Sequence, residues 1–148
     1  MKPAQSATPN ILLVDDNRDG LLVRRSLLEE VGYHVQLACN GEEGLKLFQS
    51  SPFDVVVTDF RMPRMDGGEL IKCIRALQPH ARIILLSGFV DPLGLTEQGT
   101  GADVVIAKSS REPAHLLSWV KRLTNRATPR KPPSRQTLTA AQKRAAGQ

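Results

Sequence analysis

The sequence predicts an α/β domain: a doubly wound sheet of five parallel strands with helices on both faces. Short apolar runs of strand length alternate with segments whose apolar residues recur every three or four positions. Most of these runs are nearly continuous in hydrophobic residues, as strands covered on both faces must be. Four of them end on polar side chains, at Asp15/Asp16, Asp59, Ser87 and Lys108. The carboxyl ends of parallel strands are where open sheets place their ligand sites.

Taken in order, Ile11-Leu-Leu-Val-Asp15 is the first strand. Asp16-Asn17 can cap a helix carrying Val23, Leu27, Leu28 and Val31, and Gly32 can stop it. His34–Ala38 alternates Val35 and Leu37 with polar residues, the pattern of an edge or half-buried strand. Asn40-Gly41 turns the chain into a short helix, Glu42–Gln49, with Leu45 and Phe48 facing inward. Asp54–Asp59 is the third strand, in which Val55, Val56 and Val57 lead to a carboxylate.

A loop punctuated by Pro63 opens a helix over Gly67–Leu77, with Leu70, Ile71, Ile74 and Leu77 on one face and Pro79 beyond its end. Arg82–Ser87 is the fourth strand. Asp91-Pro92 and Gly99 bracket a short helix, and Ala102–Ala107 is the fifth strand. The last helix covers Glu112–Asn125, with Leu116, Leu117, Val120 and Leu123 inward. The expected folded body is 10–125, between a polar lead-in at 1–9 and a proline-containing disordered tail at 126–148.

A chain of 148 residues suits one domain with tails. No apolar run approaches membrane-spanning length and the start lacks the apolar core of a signal peptide, so the expected location is cytoplasmic, with no membrane partner. Cys39 and Cys73 lack metal-ligand spacing and read as reduced, structural thiols; His34, His80 and His115 show no ligand spacing either. The net charge of +5 divides unevenly. Arg126, Arg130, Lys131, Arg135, Lys143 and Arg144 account for six of the twenty basic residues, leaving fourteen against fifteen acids before them. A tail-mediated, salt-sensitive attraction to nucleic-acid phosphates is therefore one alternative function, and a solvated tail is the simpler reading.

Each polar strand end has a bland explanation. Asp15-Asp16-Asn17 can merely cap a helix, Asp59 and Ser87 can be turn residues, and Lys108 can be a solvated charge. All four together, in order and each at a strand end, would require four coincidences. A site at one edge of the sheet is the better reading.

The ordered set Asp15-Asp16, Asp59, Met62-Pro63, Met65-Asp66-Gly67, Ser87-Gly88 and Gly101-Ala102-Asp103 before Lys108 resembles the receiver domain of two-component response regulators. The resemblance covers Asn10 to Asn125. It implies a flavodoxin-like sheet in strand order 2-1-3-4-5, which periodicity alone does not supply. It further implies that Asp59 accepts a phosphoryl group from a partner's phosphohistidine, the partner being a sensor histidine kinase or a phosphotransfer protein. Asp16, Asp59 and the backbone carbonyl of Arg61 would hold one Mg²⁺, with Asp15 acting through a bound water. Hard oxygen ligands at a sheet edge suit that ion. Lys108 and Ser87 would contact the phosphoryl oxygens. A stand-alone receiver signalling through an unidentified downstream protein is the expected function, rather than an enzyme acting on small substrates. Haloacid-dehalogenase-type phosphohydrolases carry an acid two residues after the nucleophile, where this chain has Arg61.

Two departures bear on how phosphorylation would be read out. Receivers commonly carry an aromatic residue three positions before the lysine and a proline after it; this chain has Val105 and Ser109. The stretch between Ser87 and Lys108 is rich in glycine, so a reordering of Phe89–Gly101 is the expected signal. A phosphorylation-independent, receiver-like adaptor is the remaining alternative.

Overall fold

The computed structural model describes residues 8–88 and 97–125. Residues 1–7, 89–96 and 126–148 lie outside the described residues, and with them most of the expected lead-in, the start of the fourth helix and the basic tail. Strands β1 (Asn10–Val14), β2 (His34–Ala38), β3 (Val55–Asp59), β4 (Ile83–Ser87) and β5 (Val104–Ala107) alternate with helices α1 (Arg18–Glu30), α2 (Gly41–Ser50), α3 (Gly67–Leu77), α4 (Glu97–Thr100) and α5 (Glu112–Thr124). All four strand pairings are parallel, in order β2-β1-β3-β4-β5. The expected architecture and strand order are present.

Strand alternation divides the core into two layers. Ile11, Leu13, Val55, Val57, Ile84, Leu86, Val104 and Ile106 face α1 and α5, meeting Leu21, Leu28, Leu116, Val120 and Leu123. Leu12, Val14, Val56, Ile83 and Leu85 face the other way, onto Phe48 of α2 and Leu70, Ile71 and Ile74 of α3. β2 lies at the sheet edge with a half-exposed pattern, as its alternation predicts.

Local chemistry sets the element ends. Asn17 caps α1 by accepting a hydrogen bond from the Gly20 amide. Gly32, at φ +104°, closes α1 with paired bonds from its own amide to Glu29 and from the Tyr33 amide to Leu28. Asp66 and Glu69 form a reciprocal capping box on α3. Gly44 lets α2 settle onto β1, since a Cβ there would sit 2.9 Å from a methyl of Val14.

The helix faces differ from expectation at two places. The inner face of α1 is Leu21, Arg24 and Leu28, whereas Val23 and Val31 are each 59 % exposed. The expected stripe was out of phase because a buried arginine breaks the hydrophobic pattern on the true inner face. Leu77 is exposed at the last position of α3, past the strand layer it was expected to cover. Leu45 packs against the α2/α3-side core as expected, while Gly41 and Gly44 occupy the close-contact positions of α2. Cys39 is exposed and Cys73 half-buried; both are free thiols. All three histidines are exposed.

Candidate functional site

Register brings the polar strand ends together. Val14 pairs with Thr58, so Asp15 and Asp59 follow at the same level on neighbouring strands. Asp59 pairs with Leu86, and Ser87 pairs with Ala107, immediately before Lys108. The Lys108 amide donates to the Ser87 carbonyl at 2.7 Å, which extends the ladder one step past β5. By strand alternation Asp15 and Asp59 continue the α1/α5-facing rows of their strands, and Lys108 continues that of β5.

Asp15, Asp16 and Asp59 each offer a carboxylate oxygen, and these oxygens all lie within 4.8 Å of one another. Asp15 and Asp59 are buried and Asp16 is exposed. Lys108 closes the cluster from the β5 side, with Nζ 2.8 Å from Asp59 Oδ1 and 3.8 Å from Asp15 Oδ2. A cavity of about 410 Å³ opens beside them, lined by Asp16, Phe60, Arg61, Met62, Pro63 and Asp66. Arg61 thus shares the cavity with Asp16, and Ser87 is buried at the end of β4.

The electrostatics follow from crowding. Burial pushes the Asp59 carboxyl above its usual range, the hydrogen bond from Lys108 opposes that shift, and the nearby Asp15 charge adds to it. The α3 N-terminus crowds Asp59 from behind. The Gly67 amide donates to the Phe60 carbonyl at 2.8 Å, and a Cβ on Gly67 would collide with the Asp59 carbonyl oxygen. Buried Thr58 donates its hydroxyl to the same carbonyl at 2.9 Å. The Asp59 backbone is fixed from two sides.

Two residues at the site were not foreseen from the sequence. Arg24 is buried, with Nη1 2.9 Å from Asp15 Oδ2, and Glu112 at the start of α5 holds the rest of the same guanidinium. The available signal was a spacing of three and four residues joining Leu21, Arg24 and Leu28, which hydropathy hides because arginine scores as a solvent residue. The donor set also suits Mg²⁺. That ion takes oxygen ligands at ~2.0–2.1 Å, which places ligand oxygens about 3–4 Å apart around one centre. Three carboxylates already within 4.8 Å need little movement to meet that spacing.

Comparisons with known proteins agree with this geometry. The family model described as "Response regulator receiver domain" matches residues 11–121. The response regulator receiver protein CpdR of Brucella abortus is 32 % identical over 113 residues, covering 76 % of this chain and 92 % of that protein. A probable transcriptional regulator, ycf27 of Cyanidium caldarium, is 35 % identical over 127 residues; the match covers 83 % of this chain and 51 % of that protein. The chain spans about half the length of ycf27 and a smaller share of several other curated relatives. Among solved structures, the response regulator TrrA of Thermotoga maritima, in complex with Mg²⁺–BeF, superposes with a TM-score of 0.71 at 34 % identity, covering 78 % of this chain and 99 % of that one. No helix among the described residues is long and apolar enough to cross a membrane. By family match, strand order and converging strand ends alike, the chain belongs to the response regulator receiver domains.

Proposed function

We propose that this receiver accepts a phosphoryl group on Asp59 from a phosphohistidine of a sensor kinase or phosphotransfer protein, with Mg²⁺ as cofactor, and signals by binding another protein. The observation that carries the reading is the meeting of three carboxylates within 4.8 Å, closed by a lysine 2.8 Å from Asp59. The response regulator receiver protein CpdR, covered over 92 % of its length, supports the receiver reading.

In the transfer, a carboxylate oxygen of Asp59 forms the new O–P bond as the donor's N–P bond breaks, and the imidazole nitrogen keeps the electron pair. Such transfers proceed through a loose transition state, so the protein's contribution is positioning and charge neutralisation. The doubly fixed Asp59 backbone supplies the positioning. As Asp59 changes from carboxylate to acyl phosphate, the Lys108 ammonium shifts its pairing from the carboxylate to a phosphoryl oxygen. The Ser87 hydroxyl donates to a second phosphoryl oxygen from the adjoining strand. Asp15, Asp16, Asp59 and the Arg61 carbonyl would hold Mg²⁺, which supplies neutralising charge to the carboxylates and the incoming phosphoryl.

Intact mass after incubation with Mg²⁺ and acetyl phosphate tests the chemistry. One phosphoryl adduct on wild type, absent from Asp59→Asn and from an EDTA-treated sample, is expected. An adduct that persists in Asp59→Asn would place the acceptor elsewhere. Absence of an adduct together with no binding of beryllofluoride would favour the phosphorylation-independent adaptor.

A further inference from the structure

The acidic pocket is wired to helix α5 by a buried chain of charges that the phosphoryl chemistry does not require. Arg24 lies on the inner face of α1, between Leu21 and Leu28, at a position that otherwise faces apolar core. Its guanidinium bonds at both ends. Nη1 donates to Asp15 Oδ2 at 2.9 Å, while Nε and Nη2 donate to the two oxygens of Glu112 at 3.2 and 3.0 Å. All three side chains are buried, so water screens this chain of charges weakly.

A second observation shows that the backbone is built around this guanidinium. Gly20 lies one turn before Arg24, and a Cβ there would sit 2.9 Å from Arg24 Nη1 and 3.4 Å from Asp15 Oδ2. Glycine in the first turn of α1 leaves the passage through which Arg24 reaches the strand end. On the far side, α5 starts at Glu112 with no side-chain cap from Arg111, and the Glu112 pair with Arg24 ties its first turn to α1.

Resting on the receiver reading, we propose that Arg24 is a positioning residue that sets the affinity of the acidic pocket for its divalent cation, with Glu112 on α5 metering its charge. A fixed cation against Asp15 lowers the negative potential that draws Mg²⁺. Asp15 needs no help from Arg24 to stay oriented, because its Oδ1 already accepts the Asn17 amide at 2.9 Å. Electrostatic opposition therefore outweighs orientation. Glu112 shares the guanidinium charge and relieves that opposition. Coupling of this kind is reciprocal. A cation in the pocket presses Arg24 onto Glu112 and tightens the first turn of α5, giving that helix a route to sense the site that does not pass through Val105.

Calorimetric titration of the full chain with Mg²⁺ alone tests this. The Mg²⁺ dissociation constant is expected to fall roughly tenfold in Arg24→Leu/Glu112→Leu and to rise roughly threefold in Glu112→Gln, the scale on which one close charge moves a carboxylate's proton affinity. The opposite signs are the signature, since a purely structural loss would weaken binding in both. Should the double variant fail to fold, Gly20→Ala keeps every charge, displaces only the guanidinium, and is expected to tighten Mg²⁺ binding. Amide exchange at 112–116 should slow when Mg²⁺ binds wild type and not respond in the variants lacking the pair. Unchanged or uniformly weakened Mg²⁺ binding in folded variants overturns the role of Arg24 alone. No Mg²⁺ binding by wild type overturns the receiver chemistry, and this inference with it.

Discussion

Two adjacent glycines at the start of α3 should respond to alanine with opposite signs, and the sign is dictated by what a methyl group would meet. At Gly67 it would collide with the Asp59 carbonyl oxygen and approach Phe60 Cα at 2.9 Å and Leu85 Cδ1 at 3.0 Å. Two of these three obstacles are backbone, at the end of a fully buried strand, and cannot swing aside. At Gly68 the nearest atoms are Asp66 Oδ1 at 3.4 Å and Phe60 Cε1 at 3.5 Å, which is ordinary contact. Neither glycine has a positive φ, so both Gly→Ala changes gain ~0.4–1 kcal/mol by reducing the freedom of the unfolded chain. Overpacking against a rigid neighbour costs ~1–3 kcal/mol. Gly68→Ala should therefore stabilise by about 0.5 kcal/mol, and Gly67→Ala should destabilise by about 1–2 kcal/mol net. Urea denaturation in EDTA reads both. Because the obstacle at Gly67 is the Asp59 carbonyl, Gly67→Ala should also weaken beryllofluoride binding while Gly68→Ala leaves it intact. Equal stability of the two variants would refute the claim that α3 is pressed against the end of β3.

Other predictions follow from strain and charge. Arg64 has φ +68°, a left-handed conformation that costs a non-glycine residue ~1–2 kcal/mol, while its pair with Glu42 at 3.3 Å is exposed on both sides and contributes ~0–1 kcal/mol. Arg64→Gly and Arg64→Ala both lose the pair, so glycine should be the more stable by about 1 kcal/mol in chemical denaturation; equality would mean the backbone relaxes without strain. The raised pKa of Asp59 means that the folded state binds its proton more tightly than the unfolded state does. Its contribution to stability is present at low pH and is lost as pH rises through the raised value. In EDTA, Asp59→Asn should therefore melt above wild type at neutral pH, with the gap closing as pH falls through the raised value and gone by about pH 4. Mg²⁺ at tenfold its dissociation constant should return ~1.4 kcal/mol to wild type and none to the variant. A gap that widens on acidification would reverse the sign of the argument.

The strands were legible because their composition is dictated by two-sided burial. A run such as Ile83-Ile-Leu-Leu86 has few other uses, and polar ends at fixed register leave little freedom over where the site lies. Helix ends were legible where a single residue carries the signal, as at Asn17 and Gly32. The phase of α1 was not. Val23, Leu27 and Val31 make a tidy four-residue stripe, but Val23 and Val31 face solvent and the core takes Leu21, Arg24 and Leu28. Hydropathy cannot find a buried arginine, because what makes it tolerable in the core is a pair of carboxylates 9 and 88 residues away in the chain. Glu112 was legible only as a helix start for the same reason. Phe89–Gly101, where the sequence suggested a reordering segment, falls largely outside the described residues.

The placement of charge explains why such a pocket can exist in a stable domain before any cation arrives. Three carboxylates at one sheet edge repel, and burial of two of them adds a desolvation cost. Lys108 answers Asp59 from β5, and Arg24 answers Asp15 from α1. Each cation carries a different consequence. Lys108 is partly exposed and, under the proposed chemistry, would exchange its carboxylate partner for a phosphoryl oxygen. Arg24 is buried and bonded at both ends, so it would respond to a change in the pocket only by redistributing its contacts between Asp15 and Glu112. Changes at Asp59 would thus be felt directly through Lys108, and changes in cation occupancy through Arg24 and α5. With Val105 where receivers commonly carry an aromatic, the second of these routes is the one for which this chain shows a dedicated buried structure.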